Sequence, residues 1–85
     1  MIGYVFTKHA DRQLQKFPVQ TQKFIIKKVK YYCAGENPLR HADAIEGEKG
    51  KVYRFRAGDY RVIFDWNGDH ILVTKVADRK DAYKG

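Results

Sequence analysis

Hydrophobic and polar positions change their period once along the chain. The opening Ile2-Gly3-Tyr4-Val5-Phe6 is short and β-prone and ends at Thr7, a residue suited to capping a helix. Ala10, Leu14 and Phe17 then recur at helical spacing, with Asp11 in the first turn and Lys16 in the last, each placed to suit the helix dipole. Pro18 ends this helix and can sit in the first turn of the next. Phe24, Ile25, Ile26, Val29, Tyr32 and Cys33 form the second apolar stripe, with Lys23, Lys27, Lys28 and Lys30 on the outer face. Gly35 and Asn37-Pro38 stop that helix, so two antiparallel helices joined by a tight turn are expected.

From Leu39 to Gly50 no period is sustained, which suggests a surface connection with a short extended piece around Ala44 to Glu46. Beyond it the period becomes two. Val52–Arg56, Tyr60–Trp66 and Ile71–Val76 are β-branched and aromatic runs separated by Ala57-Gly58 and Asn67-Gly68, a pattern for an antiparallel meander. The expected architecture is α+β: a strand, a two-helix hairpin, then the meander, with the helices on one sheet face and the other face open.

Taking both dipeptides as two-residue turns pairs Arg56 with Asp59, Phe55 with Tyr60, Arg54 with Arg61, Trp66 with Asp69, Phe64 with Ile71, Val62 with Val73 and Arg61 with Thr74. One face then collects Tyr53, Phe55, Tyr60, Val62, Phe64, Trp66, Ile71 and Val73, natural partners of the helical stripes. The other collects Arg54, Arg56 and Arg61, with Thr74 beside them and Val52, Ile63 and Leu72 further along. Like charges across an antiparallel pair repel, so an anion is expected there: Asp59, Asp65 or Asp78 from the chain itself, or a bound phosphate, whose geometry suits the planar guanidinium.

Composition sharpens the picture. Eighty-five residues, five Phe, six Tyr and one Trp among them, suit a single domain over residues 1–85, closed by large aromatic side chains. Seventeen Lys and Arg against ten Asp and Glu give a charge of +7, which favours phosphate-rich or acidic partners if it gathers on one face. The single Cys33 excludes an internal disulfide and reads as a buried small hydrophobe. No apolar run approaches the length of a membrane span and no leader pattern precedes Lys8 and His9, so a soluble cytoplasmic protein is expected. The end of the chain, Asp78 to Gly85, leaves the last strand where it could return over the arginines or fray; Arg79 could add charge there and Tyr83 stack on a base or donate a proton.

The segment Val52-Tyr53-Arg54-Phe55-Arg56-Ala57-Gly58-Asp59-Tyr60-Arg61-Val62-Ile63-Phe64 closely resembles the pattern of RelE-like toxins, in which YR, a hydrophobic residue and R-x-G-x-YR precede a hydrophobic run. Val76-Ala77-Asp78-Arg79-Lys80-Asp81-Ala82-Tyr83 is similar to the second motif of the group, Gly, His, then RKD-x-Y, with Ala77 and Asp78 in place of Gly and His. Resemblance to this RelE/ParE group of toxin domains implies a microbial RNase-type fold. For the RelE branch it implies cleavage of messenger RNA in the ribosomal decoding site, by attack of a ribose 2′-OH on the adjacent phosphate without metal or cofactor. It further implies that Arg61, with Arg54 and Arg56, stabilises the reacting phosphate, and that Tyr83 is the acid. Arg79, Lys51 and Lys80 would add substrate contacts. Arginine is a poor proton acceptor, so the base falls to Glu46 or Glu48; His41 and His70 offer the right chemistry, but His70 lies beside a hairpin turn, far from Arg61. The implied partners are the ribosome, messenger RNA and a short, acidic, partly disordered antitoxin, which alone contacts operator DNA; no membrane is involved. The same resemblance admits a ParE-like protein that binds DNA gyrase, or a weakly active toxin serving mainly as the antitoxin's co-repressor.

Overall fold

The computed structural model describes residues 2–45 and 52–79. Strand β1 (Gly3–Phe6) leads into helices α1 (Lys8–Gln15) and α2 (Val19–Cys33). A 3-10 turn (Pro38–His41) then precedes β2 (Ala42–Ala44), β3 (Val52–Ala57), β4 (Tyr60–Trp66) and β5 (His70–Asp78). The five strands form one sheet in the order β1-β5-β4-β3-β2, with β1 parallel to β5 and the other pairs antiparallel.

The expected helix signals act as read. Thr7 caps α1, its hydroxyl accepting from the Ala10 N–H at 3.1 Å, and Pro18 occupies the N-cap of α2 just ahead of its first turn. Ala10 and Leu14 of α1 and Ile25, Val29 and Cys33 of α2 are buried against Phe55, Val62, Phe64, Ile71, Val73 and Val76 of the sheet. Phe55 and Phe64 stack at 4.3 Å at the centre of this core. Phe24 stands partly outside the stripe, its ring lying over the β3–β4 turn beside Gly58. The short extended piece appears as β2, which starts at Ala42 and is followed by Ile45, whose N–H donates to the Val52 carbonyl at 3.2 Å; Glu46 lies outside the described residues.

Both hairpin registers differ from the expected ones. The β3–β4 turn is Gly58-Asp59, with Ala57 opposite Tyr60, because Gly58 takes the left-handed conformation at φ +61° that the first loop position requires. The β4–β5 loop runs from Asn67 to Asp69, and the antiparallel pairing closes with Trp66 opposite Ile71. Its geometry comes from the Asn67 side chain, whose Oδ1 accepts from the Asp69 and His70 N–H groups at 2.8 and 3.0 Å and replaces a main-chain turn bond. Each shift is by two residues, so the alternation of faces survives.

A bulge then changes that alternation in β5. Phe64 pairs with Val73 but Ile63 pairs with Lys75, leaving Thr74 as the extra residue, its hydroxyl donating to the Ile63 carbonyl at 3.4 Å. Val73 and Val76, three apart, can therefore both enter the core. Past the end of β1 the outer edge of β5 is covered by α1, where the Gln13 side-chain Oε1 accepts from Val76 N–H at 2.8 Å.

Candidate functional site

With the helices on one face, the other face of β2–β5 presents two cross-strand rows. Asp43, Arg54, Ile63 and Lys75 form the first, and Arg56, Arg61 and Ala77 the second. The sequence expectation of Arg54, Arg56 and Arg61 on one face therefore holds, while the neighbours differ: Arg56, not Arg54, lies opposite Arg61. Lys75 replaces Thr74 as the β5 contributor, a consequence of the bulge.

The three arginines are held differently. Asp43 Oδ2 lies 3.1 Å from Arg56 Nε and 3.5 Å from Arg54 Nη2, so one carboxylate bridges both guanidinium groups. Among the described residues Asp43 on β2 is the carboxylate paired with Arg54 and Arg56, an addition to the expected Asp59, Asp65 and Asp78, and β2 supplies it because it runs beside β3 on that edge. The Arg56 side chain remains 62% exposed and that of Arg54 23%. Arg61 is nearly enclosed at 7%, and its Nη1 donates to the carbonyls of Gly58 and Tyr60, both at 3.0 Å, tying the guanidinium to the β3–β4 turn. The Nε atoms of Arg54 and Arg61 are buried without a hydrogen-bond partner among the described residues.

Arg79 arrives at the same end of the sheet. Tyr60 pairs with Asp78, and the Arg79 N–H donates to the Asp59 carbonyl at 2.6 Å, so this exposed residue stands beside the turn that Arg61 holds. Glu46, Glu48, Lys51, Lys80 and Tyr83 lie outside the described residues. His70 opens β5 at the opposite end of the sheet from Arg61, next to Asp69 and Asn67.

Two features of this region escaped the sequence pattern. Asp43 belongs to a three-residue strand too short to show a period. His41 is brought near Arg56: a cleft of about 310 Å³ beside β2 is lined by Tyr32, Arg40, His41, Ala42, Asp43 and Arg56. The His41 ring stacks on Tyr32 at 5.1 Å, and the Tyr32 hydroxyl donates to the Arg56 carbonyl at 2.8 Å. Cys33, fully buried beneath the helices, has its thiol pKa pushed up by that burial and is withdrawn from chemistry. Among the described residues no group of three or more His, Cys, Asp or Glu side chains is arranged to hold a metal ion, and no helix is long and apolar enough to cross a membrane.

No protein-family model matches the sequence, and no curated protein matches it. Several solved structures do. A chain of the RelB–RelE antitoxin–toxin complex from Methanococcus jannaschii superposes with a TM-score of 0.72 at 27% identity, covering 93% of this chain and 94% of that one. A chain of the RelE–RelB complex from Pyrococcus horikoshii superposes at 0.70 and 24% identity, over 92% of this chain and 94% of the other. A chain of the RelBE2 toxin–antitoxin complex from Mycobacterium tuberculosis gives 0.69 and 24%, over 92% and 98%. The fold is RelE-like and is shared with proteins of toxin–antitoxin modules.

Proposed function

We propose that this chain is the toxin of a toxin–antitoxin pair and acts as a ribosome-dependent endoribonuclease on messenger RNA. The observation that carries the reading is the open sheet face, where Arg54 and Arg56 are held side by side by one carboxylate on a RelE-like scaffold. In the proposed reaction a ribose 2′-OH attacks the adjacent phosphorus and the 5′-oxygen of the next nucleotide leaves, giving a cyclic phosphate and a free 5′-OH. The attacking hydroxyl loses a proton and the leaving oxygen gains one.

Arg56, the most exposed of the three, takes the phosphate with Arg54, exchanging the Asp43 carboxylate for phosphate oxygens and offsetting the charge that grows in the transition state. Arg61 acts from beneath: by fixing the turn it sets the position of Arg56 opposite, and its positive charge adds to the field at the phosphate. Arg79 contributes a further cation, joined by Lys51 and Lys80. Tyr83 supplies the leaving-group proton, and Glu46 or Glu48 accepts the one from the 2′-OH, a role to which the guanidinium group is unsuited. An acidic antitoxin segment that folds on binding would silence the protein by covering this basic face, in keeping with the antitoxin–toxin complexes whose chains share its fold.

The test is primer extension on messenger RNA translated with ribosomes, beside a DNA supercoiling assay. Cuts that disappear in Arg56→Ala, a change at an exposed side chain that leaves the core intact, support the reading. Intact message together with inhibited gyrase would replace it by the ParE-like alternative.

A further inference from the structure

The Tyr32–His41 cleft lies just across β2 from Arg54 and shares Arg56 and Asp43 with the phosphate site. It has the parts of a separate nucleotide subsite. Its floor is rigid: Tyr32 packs on buried Phe55 with ring centroids 4.7 Å apart and is tethered through its hydroxyl to the Arg56 carbonyl. His41 is carried on a 3-10 turn that is pinned by buried Pro38 and capped by Asn37. Its exposed ring covers Tyr32 and lies 5.8 Å from Tyr31, which is itself 64% exposed. Exposed Arg40 and Arg56 flank these rings, and Lys27 and Lys28 share a second groove with Tyr31 and Phe24.

Exposed planar rings set between forked cationic donors, with Asp43 the one acidic group among the described residues that line the cleft, match the stacking platform and basic track that hold single-stranded nucleic acid. An acidic peptide would satisfy the charges but leave the ring faces without a planar partner. We infer that the Tyr32–His41 cleft binds a nucleotide of single-stranded RNA next to the one at Arg54 and Arg56, with its base against His41 and Tyr31 and its phosphate at Arg40. The inference rests on the RNA-binding part of the proposed function and extends it: the strand would pass over the β2 edge and onto the end of α2, so the cleft would set which flanking nucleotide is preferred.

The experiment uses the full chain and two 5′-labelled, fully 2′-O-methylated RNAs that cannot be cut, a dinucleotide and a hexanucleotide, with anisotropy read at several salt concentrations. His41→Ala and Arg40→Gln change exposed side chains outside the core. Each is expected to weaken the hexanucleotide about tenfold, and Arg40→Gln to leave unchanged the dinucleotide, whose single internucleotide phosphate sits at Arg54 and Arg56. Arg40→Gln should also lower the slope of log K against log salt by about 0.7, one phosphate contact on a single strand. Hexanucleotide binding that depends on Arg56 but is indifferent to both variants would overturn the cleft and spare the nuclease reading. Uncut message on ribosomes, with RNA affinity still dependent on His41 and Arg40, would do the reverse.

Discussion

Arg61→Ala is the change that most directly separates structure from chemistry in this fold. Two charge-assisted bonds, to the Gly58 and Tyr60 carbonyls, disappear with the side chain. Each such bond is worth about 1.5–3 kcal/mol, so the loss is about 3–6 kcal/mol. Removing the buried Nε, which has no hydrogen-bond partner among the described residues, returns about 1–3 kcal/mol, and relief of repulsion from Arg56 returns a little more. The net cost is about 2 kcal/mol, against a total stability of about 4–13 kcal/mol for a domain of this size. Urea unfolding followed by the fluorescence of Trp66, the single tryptophan, gives the measurement. With a denaturant slope of about 1 kcal/mol/M, the midpoint should fall by about 2 M. Both bonds leave one nitrogen, so a lysine ammonium, although shorter, should restore about half of the loss in Arg61→Lys. A midpoint in Arg61→Ala within about 0.3 M of the parent would mean that the guanidinium does not hold the β3–β4 turn. Activity lost in Arg61→Ala is therefore evidence of catalysis only when the variant is assayed well below its own midpoint.

Gly58→Ala forces an alanine to φ +61° and sets its Cβ 3.2 Å from the Phe24 ring, so a loss of about 1–2 kcal/mol and a melting temperature lower by about 5–10 °C are expected. Asp43→Asn removes the carboxylate shared by Arg54 and Arg56; both pairs are solvent-exposed in part, so stability should fall by less than about 1 kcal/mol. RNA affinity at low salt should meanwhile rise several-fold, and a fall in anisotropy-measured affinity would mean that Asp43 orients the arginines productively. Cys33 should react with a thiol reagent at pH 8 only as fast as the protein unfolds. Its raised folded-state pKa contributes stability that is complete below the ordinary value of 9.0 and lost as pH climbs through the folded value, so this contribution should vanish only in alkaline urea titrations.

The local signals carried most of the architecture. Thr7, Pro18 and the 3.6-residue stripes placed the helices, and the alternation from Val52 onward placed three strands and their faces. Face assignment survived wrong registers because both hairpins slipped by two residues, an even step that preserves alternation. What the pattern could not convey was non-local. The parallel pairing of β1 with β5 leaves no mark on either strand's own sequence. Asp43 became the counter-ion through an edge pairing of only three residues, and the Arg61 guanidinium turned to carbonyls of its own turn, which no side-chain periodicity encodes. One signal for the bulge was present: Ile71 and Val73 keep a period of two, whereas Val76 breaks it, and a strand that must bury all three has to carry an extra residue.

The β1–β5 pairing also sets when the molecule comes into being. Gly3 finds its partner only at His70, so a nascent chain elongated as far as Trp66 holds two helices and an N-terminal strand with no neighbour to join. Long-range parallel closure of this kind is slow and comes after local structure. The helical stripes meet β3 and β4 earlier, but the part of the core that Ile71, Val73 and Val76 complete stays open until β5 emerges, which leaves apolar surface exposed on the half-made chain. The β1 edge of the sheet therefore closes last, late in synthesis, and a chain cut short before His70 lacks the strand that brings Lys75 and Ala77 beside the arginines.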